Sequence, residues 1–275
     1  MPEGPEIRRA ADQVARAIAG HRAEVVRFGL PALKRHERTL SGRRVEAVES
    51  RGKALLIHFD GGRSLYTHNQ LYGRWFVVKP GKPPKTGRDL RLAIHARERW
   101  ALLYSASDIE LWRRDQLATH PYLARLGVEL LDPGVGPVDV LAQVQDPRFA
   151  RRGLGALLLD QGFLAGIGNY LRSEILYVAG LRADQRLGEL DSADRRRLAD
   201  AALVLTRQSY RTKGVTNDLE RAARLKDEGM PFGRYRHHVF DREGEPCWTC
   251  GTTVRRITAA GRSVFECPQC QRSQA

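Results

Sequence analysis

Long apolar runs are missing from this 275-residue chain; none approaches the roughly 18 residues that a membrane span needs. The first residues also lack the apolar core of a signal peptide. Neither insertion nor export is expected, which leaves a soluble protein of the cytoplasm or nucleoid. Cysteine is scarce: there are four, all within the last thirty positions. Acidic residues are the minority charge, 32 Asp and Glu against 46 Lys and Arg, for a formal net charge of +14 and a pI near 10.1. That excess points to a polyanionic partner, nucleic acid before an anionic membrane. Internal repeats and low-complexity tracts are absent too. What the chain does have is 42% apolar residues, enough for a real core and against wholesale disorder.

The four cysteines form C-W-T-C (247–250) and C-P-Q-C (267–270), with sixteen residues between the pairs. Two C-x2-C turns can surround one tetrahedral zinc, through Cys247, Cys250, Cys267 and Cys270. Two disulfides are the alternative, disfavoured in a reduced compartment. A shell of four protein ligands is closed, so the ion is expected to hold the fold and to perform no chemistry.

Along the chain, Ile7, Ala11, Val14 and Ile18 recur at helical spacing and Gly20 offers a stop. From about 22 to 105 short strand-like runs follow: AEVVRF, RRVEAVES, KALLIHF, RSLYTHN, GRWFVV, LRLAIHA and RWALLYSA. Turn signals such as DGG (60–62) and KPGKPPKTG (79–87) separate them, and the spacing reads as a sandwich or barrel. Helical patterns are expected from about 108, in DIELWRRDQLA, VDVLAQVQ, LGALLLDQ, NYLRSEILYVAG and DSADRRRLADAALVLTRQSY. LLDPGVGP (130–137) reads as a linker, 211–233 as a mobile loop, and the chain from 239 as a β-hairpin with the metal at its base. The expected domains are therefore 1–128, a linker at 129–137, a helical domain at 138–236 and a zinc finger at 237–273.

Three stretches admit a chemical and a plain reading. MPEGPEIRRAADQV starts a helix with Glu3 and Glu6 three residues apart on one face; trimming of Met1 would make Pro2 a free secondary amine. It is either a well-made helix start or a catalytic centre. Lys53 follows Gly52 at the head of an apolar strand, where a lysine can exchange protons if its pKa falls, or can simply be a solvated strand end. HNQLYGRW (68–75) displays Gln70, Leu71 and Tyr72 at an apparent hairpin tip, as a wedge into a base stack or as a turn packing its own tyrosine. The glycine-rich turn from Gly162 to Gly168, with Asn169 at the N-cap of the next helix, suits a phosphate or an ordinary helical hairpin.

Together these stretches resemble the formamidopyrimidine-DNA glycosylase and endonuclease VIII family of base-excision repair enzymes. The resemblance spans most of the chain: PEGPEIRRAAD, RGKALL, HNQLYG, LLYSASDIE, THPYLARLG, LLLDQGFLAGIGNYLRSEIL and the cysteine hairpin with Arg262. QLYG and LYSASDIE look like the bacterial endonuclease VIII branch, which is associated with oxidised pyrimidines. The resemblance implies an α+β architecture: an N-terminal β-sandwich with an N-terminal helix, then a helix–two-turn–helix domain with a zinc-finger β-hairpin. It implies a monomer bound to damaged double-stranded DNA, and it assigns roles residue by residue. Pro2 is the implied nucleophile at C1′, Glu3 the general acid and Glu6 its support. Lys53 would assist β-elimination and bind phosphate, and Arg262 would serve δ-elimination. Gln70, Arg125 and Asn169 match DNA-contacting positions, and Leu71 and Tyr72 match the wedge. The segment 211–233 follows no pattern of the family.

The implied chemistry agrees with the residue types. A free α-amine has a pKa of about 7.7 to 8.0, so a neutral fraction exists near pH 7, whereas a lysine is almost wholly protonated. A secondary amine condenses directly to an iminium cation, whose charge acidifies the sugar C2′ proton. The helix start favours an ionised Glu3, so exclusion of water by bound DNA must act in the opposite sense if Glu3 is to give a proton. The expectation is a bifunctional DNA glycosylase and AP lyase. Two alternatives stay open at this stage: the 8-oxoguanine and formamidopyrimidine branch of the family, and a non-catalytic damage-sensing protein.

Overall fold

Ile7, Ala11, Val14 and Ile18 make one stripe of helix α1 (Gly4–Ile18), and all four are buried. In the computed structural model, which describes residues 2–271, α1 begins the first of two units that meet between Arg125 and Leu126. Eight strands follow: β1 (Val25–Phe28), β2 (Val45–Arg51), β3 (Ala54–Phe59), β4 (Arg63–His68), β5 (Arg74–Val78), β6 (Leu90–His95), β7 (Trp100–Tyr104) and β8 (Asp108–Arg113). A single helical turn, α2 (Glu37–Leu40), lies between β1 and β2. The strands form two antiparallel four-stranded sheets, β1-β6-β7-β5 and β2-β3-β4-β8. Alternate residues from both, among them Val26, Phe28, Leu55, Ile57, Leu65, Leu92, Ile94 and Leu103, share one core with the α1 stripe. This is the sandwich the residue pattern predicts.

Two expectations fail in this unit. DIELWRRDQLA is not helical: Asp108–Arg113 is an edge strand on β4, followed by a 3-10 segment over Arg114–Thr119. Ile109 and Leu111 alternate into the core there, and the open edge of β4 outweighs the helix propensity of Glu and Leu. The stretch around Gln70 is also no hairpin tip, because β4 and β5 belong to different sheets. Residues 69–73 cross from one sheet to the other in a turn so tight that a Cβ on Gly73 would lie 2.6 Å from the Asn69 carbonyl oxygen.

The second unit contains α3 (Pro137–Gln145), the single turn α4 (Leu154–Leu157), α5 (Asn169–Ala179), α6 (Ser192–Arg211), α7 (Leu219–Asp227) and the single turn α8 (Phe232–Tyr235). A two-residue parallel pair joins β9 (Val128–Glu129) to β10 (Leu164–Ala165), and β11 (Arg255–Ala259) with β12 (Arg262–Glu266) forms the C-terminal hairpin. α3, α5 and α6 pack around Val140, Leu171, Ile175, Leu198 and Leu205. Here the expected long helix over 154–161 shrinks to the turn α4. The stretch 158–168 that follows bends at Gly162 and Gly166 before α5, giving a helix–turns–helix unit. Within the stretch read as a linker, Leu130 is buried in this core and Arg207 of α6 donates to the carbonyls of Leu130 and Val135.

The segment 211–233 is not a loop either. Asp218 caps α7 by accepting the Arg221 N–H, and Ala222 and Leu225 pack on Val215 and Tyr235. Its apolar face is only a few residues wide, and the many charges beside it hide the helical period. Among the described residues, no helix is long and apolar enough to cross a membrane. Met1 and residues 272–273 of the expected finger lie outside the described residues.

Candidate active site and nucleic-acid interface

The start of α1 is arranged around Glu3. As the N-cap it has extended backbone, and its N–H donates to Glu6 Oε2 at 3.0 Å. The other oxygen of Glu6 accepts from Arg9 at 2.6 Å. Glu6 is therefore held at both oxygens and fixes the backbone of Glu3, whose side chain is buried at 3% exposure. Pro2, half-buried, is joined directly to this clamped residue. The opening stretch is a proper helix start, and it also buries a carboxylate on the residue directly after Pro2.

Lys53 lies one residue before β3, after Gly52 in a left-handed conformation (φ +56°), and is buried at 8% exposure, not a solvated strand end. Its N–H donates to Tyr122 Oη at 2.8 Å. The Arg125 guanidinium lies 5.9 Å from the centre of the same Tyr122 ring, and His68 meets that ring edge-on at 5.5 Å. Lys53 and Arg125, distant in sequence, thus share one aromatic support. Burial first, and then the Lys53 charge, lower the His68 pKa below its ordinary value, so this imidazole stays neutral near pH 7. His68, Tyr122 and Arg125 border a cavity of about 520 Å³ that is also lined by Tyr66, Trp112 and His120. His68 and Tyr122 were not singled out by sequence reasoning, although both lie in the quoted stretches HNQLYG and THPYLARLG.

The crossing turn displays Leu71 and Tyr72 at 52% and 67% exposure, a prominent apolar pair on a basic protein. Their backbone is fixed from several sides. Gln70 stands at φ +51°, its N–H donates to His68 Nδ1, and its side-chain oxygen accepts from Ser107 Oγ at 2.9 Å. Arg88 donates to the Tyr72 carbonyl at 2.6 Å. Rigid backbone under exposed apolar side chains is what insertion into a base stack requires.

The second unit assembles the remaining candidates. Gly168, not Asn169, is the N-cap of α5; Asn169 is the first helical residue and its Nδ2 donates to the Ser263 carbonyl at 2.9 Å. The turn after β11 presents Arg262, which is exposed. The four cysteine sulfurs lie within 4.8 Å of one another, with Cys250 3.4 Å from Cys267 and 3.5 Å from Cys270, and Cys247 3.9 Å from Cys270. Zinc–sulfur bonds of about 2.3 Å in a tetrahedron put sulfurs roughly 3.8 Å apart, so the donor set fits such an ion. Hydrogen bonds from Thr252 bring the Cys250 thiol down to about 6, while burial pushes Cys267 and Cys270 up.

Helix α5 backs this hairpin along its length. Ser173 Oγ accepts the Phe265 N–H, and Tyr177 Oη lies 3.2 Å from Cys247 Sγ. Glu174, fully buried, accepts from the N–H groups of His238, Val239 and Phe240 and from Thr216 Oγ1. Burial would raise its pKa, but the neighbouring His237 and His238 and these donors leave it below the usual carboxylate range.

The formamidopyrimidine-DNA glycosylase N-terminal domain model matches residues 1–107. Endonuclease 8 of Shigella sonnei (strain Ss046) is 47% identical over 272 residues, covering 98% of this chain and all of that protein. Endonuclease 8 of Escherichia coli O9:H4 (strain HS) is 46% identical over 271 residues, with the same coverage. Among solved structures, Lactococcus lactis Fpg in complex with DNA containing an abasic site has a TM-score of 0.80 at 19% identity, covering 98% of this chain and all of that one. MutM in complex with DNA containing carbocyclic 8-oxo-G also has a TM-score of 0.80, at 20% identity and 99% coverage of this chain. The last two establish the fold. The full-length identity to the Endonuclease 8 proteins establishes more: the chain belongs to the formamidopyrimidine-DNA glycosylase and endonuclease VIII family.

Proposed function

We propose that the protein is a bifunctional DNA glycosylase and AP lyase that removes oxidised bases, pyrimidines foremost, from double-stranded DNA in base-excision repair. The observation that carries this reading is the clamped, buried Glu3 next to Pro2, in a chain whose similarity to the Endonuclease 8 proteins runs from end to end. In the reaction the neutral amine of Pro2 attacks C1′ of an extruded nucleotide. Glu3 supplies the proton that leaves with the base; the C1′–O4′ bond then opens, O4′ takes up the proton lost by the Pro2 nitrogen, and the product is an iminium between Pro2 and the ring-opened sugar. Loss of the C2′ proton then expels the 3′ phosphate by β-elimination, and a second elimination at C4′ expels the 5′ phosphate. Hydrolysis of the iminium returns the amine.

Glu6 keeps Glu3 in place. Lys53 neutralises phosphate near the sugar, and Arg262 serves the second elimination. Gln70, Arg125 and Asn169 contact the kinked strand, while Leu71 and Tyr72 fill the vacated stack. Cys247, Cys250, Cys267 and Cys270 hold one zinc ion, whose contribution when bound is to tie the ends of the hairpin bearing Arg262. The protein acts as a monomer in the cytoplasm, at the nucleoid.

A panel of duplexes carrying either an oxidised pyrimidine, 8-oxoguanine or a formamidopyrimidine tests the reading. Base release and strand scission fastest on the oxidised pyrimidine are expected. Preference for 8-oxoguanine would move the protein to the other branch, and binding without base release on any duplex would make it a damage sensor.

A further inference from the structure

Arg172 is fully buried, lies one helical turn after Asn169, and has no part in the chemistry described above. Its guanidinium reaches four groups on four elements. Nη1 donates to the Gly155 carbonyl of α4 at 2.8 Å and to the Ala259 carbonyl of β11 at 3.2 Å. Nη2 donates to Asn169 Oδ1 at 2.7 Å and to the Ser263 carbonyl of β12 at 3.1 Å. Ala259 and Ser263 flank the turn that displays Arg262, so one planar fork grips both legs of the hairpin and the Asn169 amide together. A lysine has no such geometry.

The turn needs this grip. Ala259 pairs with Arg262, leaving a two-residue loop of Ala260 and Gly261 at φ +52° and +69°. Both central residues at positive φ define a type I′ turn, for which Asn-Gly is the favoured sequence. Ala at the first position pays a steric penalty that the surroundings must offset. Approach to α4 is also close: a Cβ on Gly155 would lie 3.0 Å from the Ala259 Cβ.

We infer that Arg172 is a positioning residue for DNA processing: it locks the Ala260–Gly261 turn so that Arg262 and the Asn169 amide face the same stretch of backbone in fixed register. The inference rests on the functional reading of Arg262 and Asn169 given above. Its consequence is selective. Loss of the fork should impair phosphate contact and the second elimination, both of which depend on Arg262, more than iminium formation at Pro2.

Arg172→Lys keeps the cation and loses the fork. Zinc content and melting temperature report folding; affinity for a duplex with a tetrahydrofuran abasic analogue, and the ratio of β- to δ-elimination products at a natural abasic site, report function. Zinc should be retained, affinity should fall about tenfold, and product should shift towards β-elimination. Arg172→Lys combined with Arg262→Ala should lose clearly less than the product of the two single losses, since both act through the Arg262 contact. Ala260→Asn supplies the favoured turn sequence and should restore much of the δ product to the lysine variant. Losses that multiply, or an unchanged product ratio in a zinc-loaded Arg172→Lys protein, would overturn the inference. So would a lysine variant that loses zinc and is not rescued by Ala260→Asn, because Arg172 would then serve folding alone. Borohydride trapping of the wild type separates this from the parent reading. Normal trapping beside an unaffected lysine variant sinks only the inference, whereas no trapping in the wild type sinks the glycosylase reading and the inference with it.

Discussion

Two adjacent residues, Pro2 and Glu3, are given separable steps, so single substitutions should part them. Glu3→Gln removes the proton donor and leaves the amine, so base excision should fall by roughly 10² or more. Cleavage and trapping at a preformed abasic site, which has no base to expel, should largely survive; equal losses on both substrates would contradict the assignment. His237 offers a prediction of a different kind. Burial is the main cause lowering its pKa to about 4, with Glu174 opposing and Arg236 and His238 reinforcing the shift. Arg236 Nε donates to His237 Nε2, so Nδ1 carries the proton towards Thr216, whose hydroxyl donates to Glu174. The unfolded chain takes up this proton near pH 6.5 and the folded one only near pH 4. Stability is therefore full above about pH 6.5 and declines as pH falls towards 4, by up to roughly 3 kcal/mol. His237→Gln should flatten the pH dependence of the urea midpoint over that interval, and an unchanged slope would assign the loss to other groups.

Elements rather than residues decide the wedge. Because the turn 69–73 crosses between sheets, its backbone is anchored by both, and Leu71 and Tyr72 can be truncated without unfolding a strand pair. Leu71→Ala with Tyr72→Ala should lower excision from intact duplex more than cleavage at a preformed abasic site, where less unstacking is needed. Similar losses on both would argue that the pair only packs against DNA. This crossing was not legible in the sequence, since alternation identifies strands without saying which sheet each joins. β8 was misread for a related reason: six residues of mixed charge carry a weak period, and the free edge of β4 decides the outcome. In 211–233, Val215, Thr216 and Asn217 are buried although two are polar, because the backbone around them bonds to the Arg236 carbonyl. Seven strands, the α1 stripe, α3, α5, α6 and the cysteine pairs were legible, for they rest on local period and spacing. The roles of Tyr122, Arg172 and Glu174 were not, because each depends on a partner tens of residues away.

At the scale of the whole molecule, the positive charge belongs to the entire chain and the cysteine cluster to the second unit alone. A net charge of +14 should make DNA affinity steeply salt-dependent, with a slope of log K against log salt of about −4.5 or steeper if five or more phosphates are engaged. A shallow slope would deny a broad phosphate footprint. Chelation of zinc, or Cys250→Ser, should release the hairpin from α5 and abolish DNA binding while the sandwich core stays folded. Full activity in protein shown by metal analysis to lack zinc would refute the structural role. The central claim, however, is that the N-terminal amine is the nucleophile, and one measurement addresses it directly. Protein carrying an extra residue before Pro2, confirmed by mass spectrometry, is incubated with abasic DNA and borohydride. The nitrogen of Pro2 is then an amide without a basic lone pair, so no covalent adduct should form, although DNA binding through the phosphate contacts should persist. An adduct forming at the normal rate would contradict the account: a lysine, Lys53 first, would be the nucleophile, and the start of α1 only a helix start.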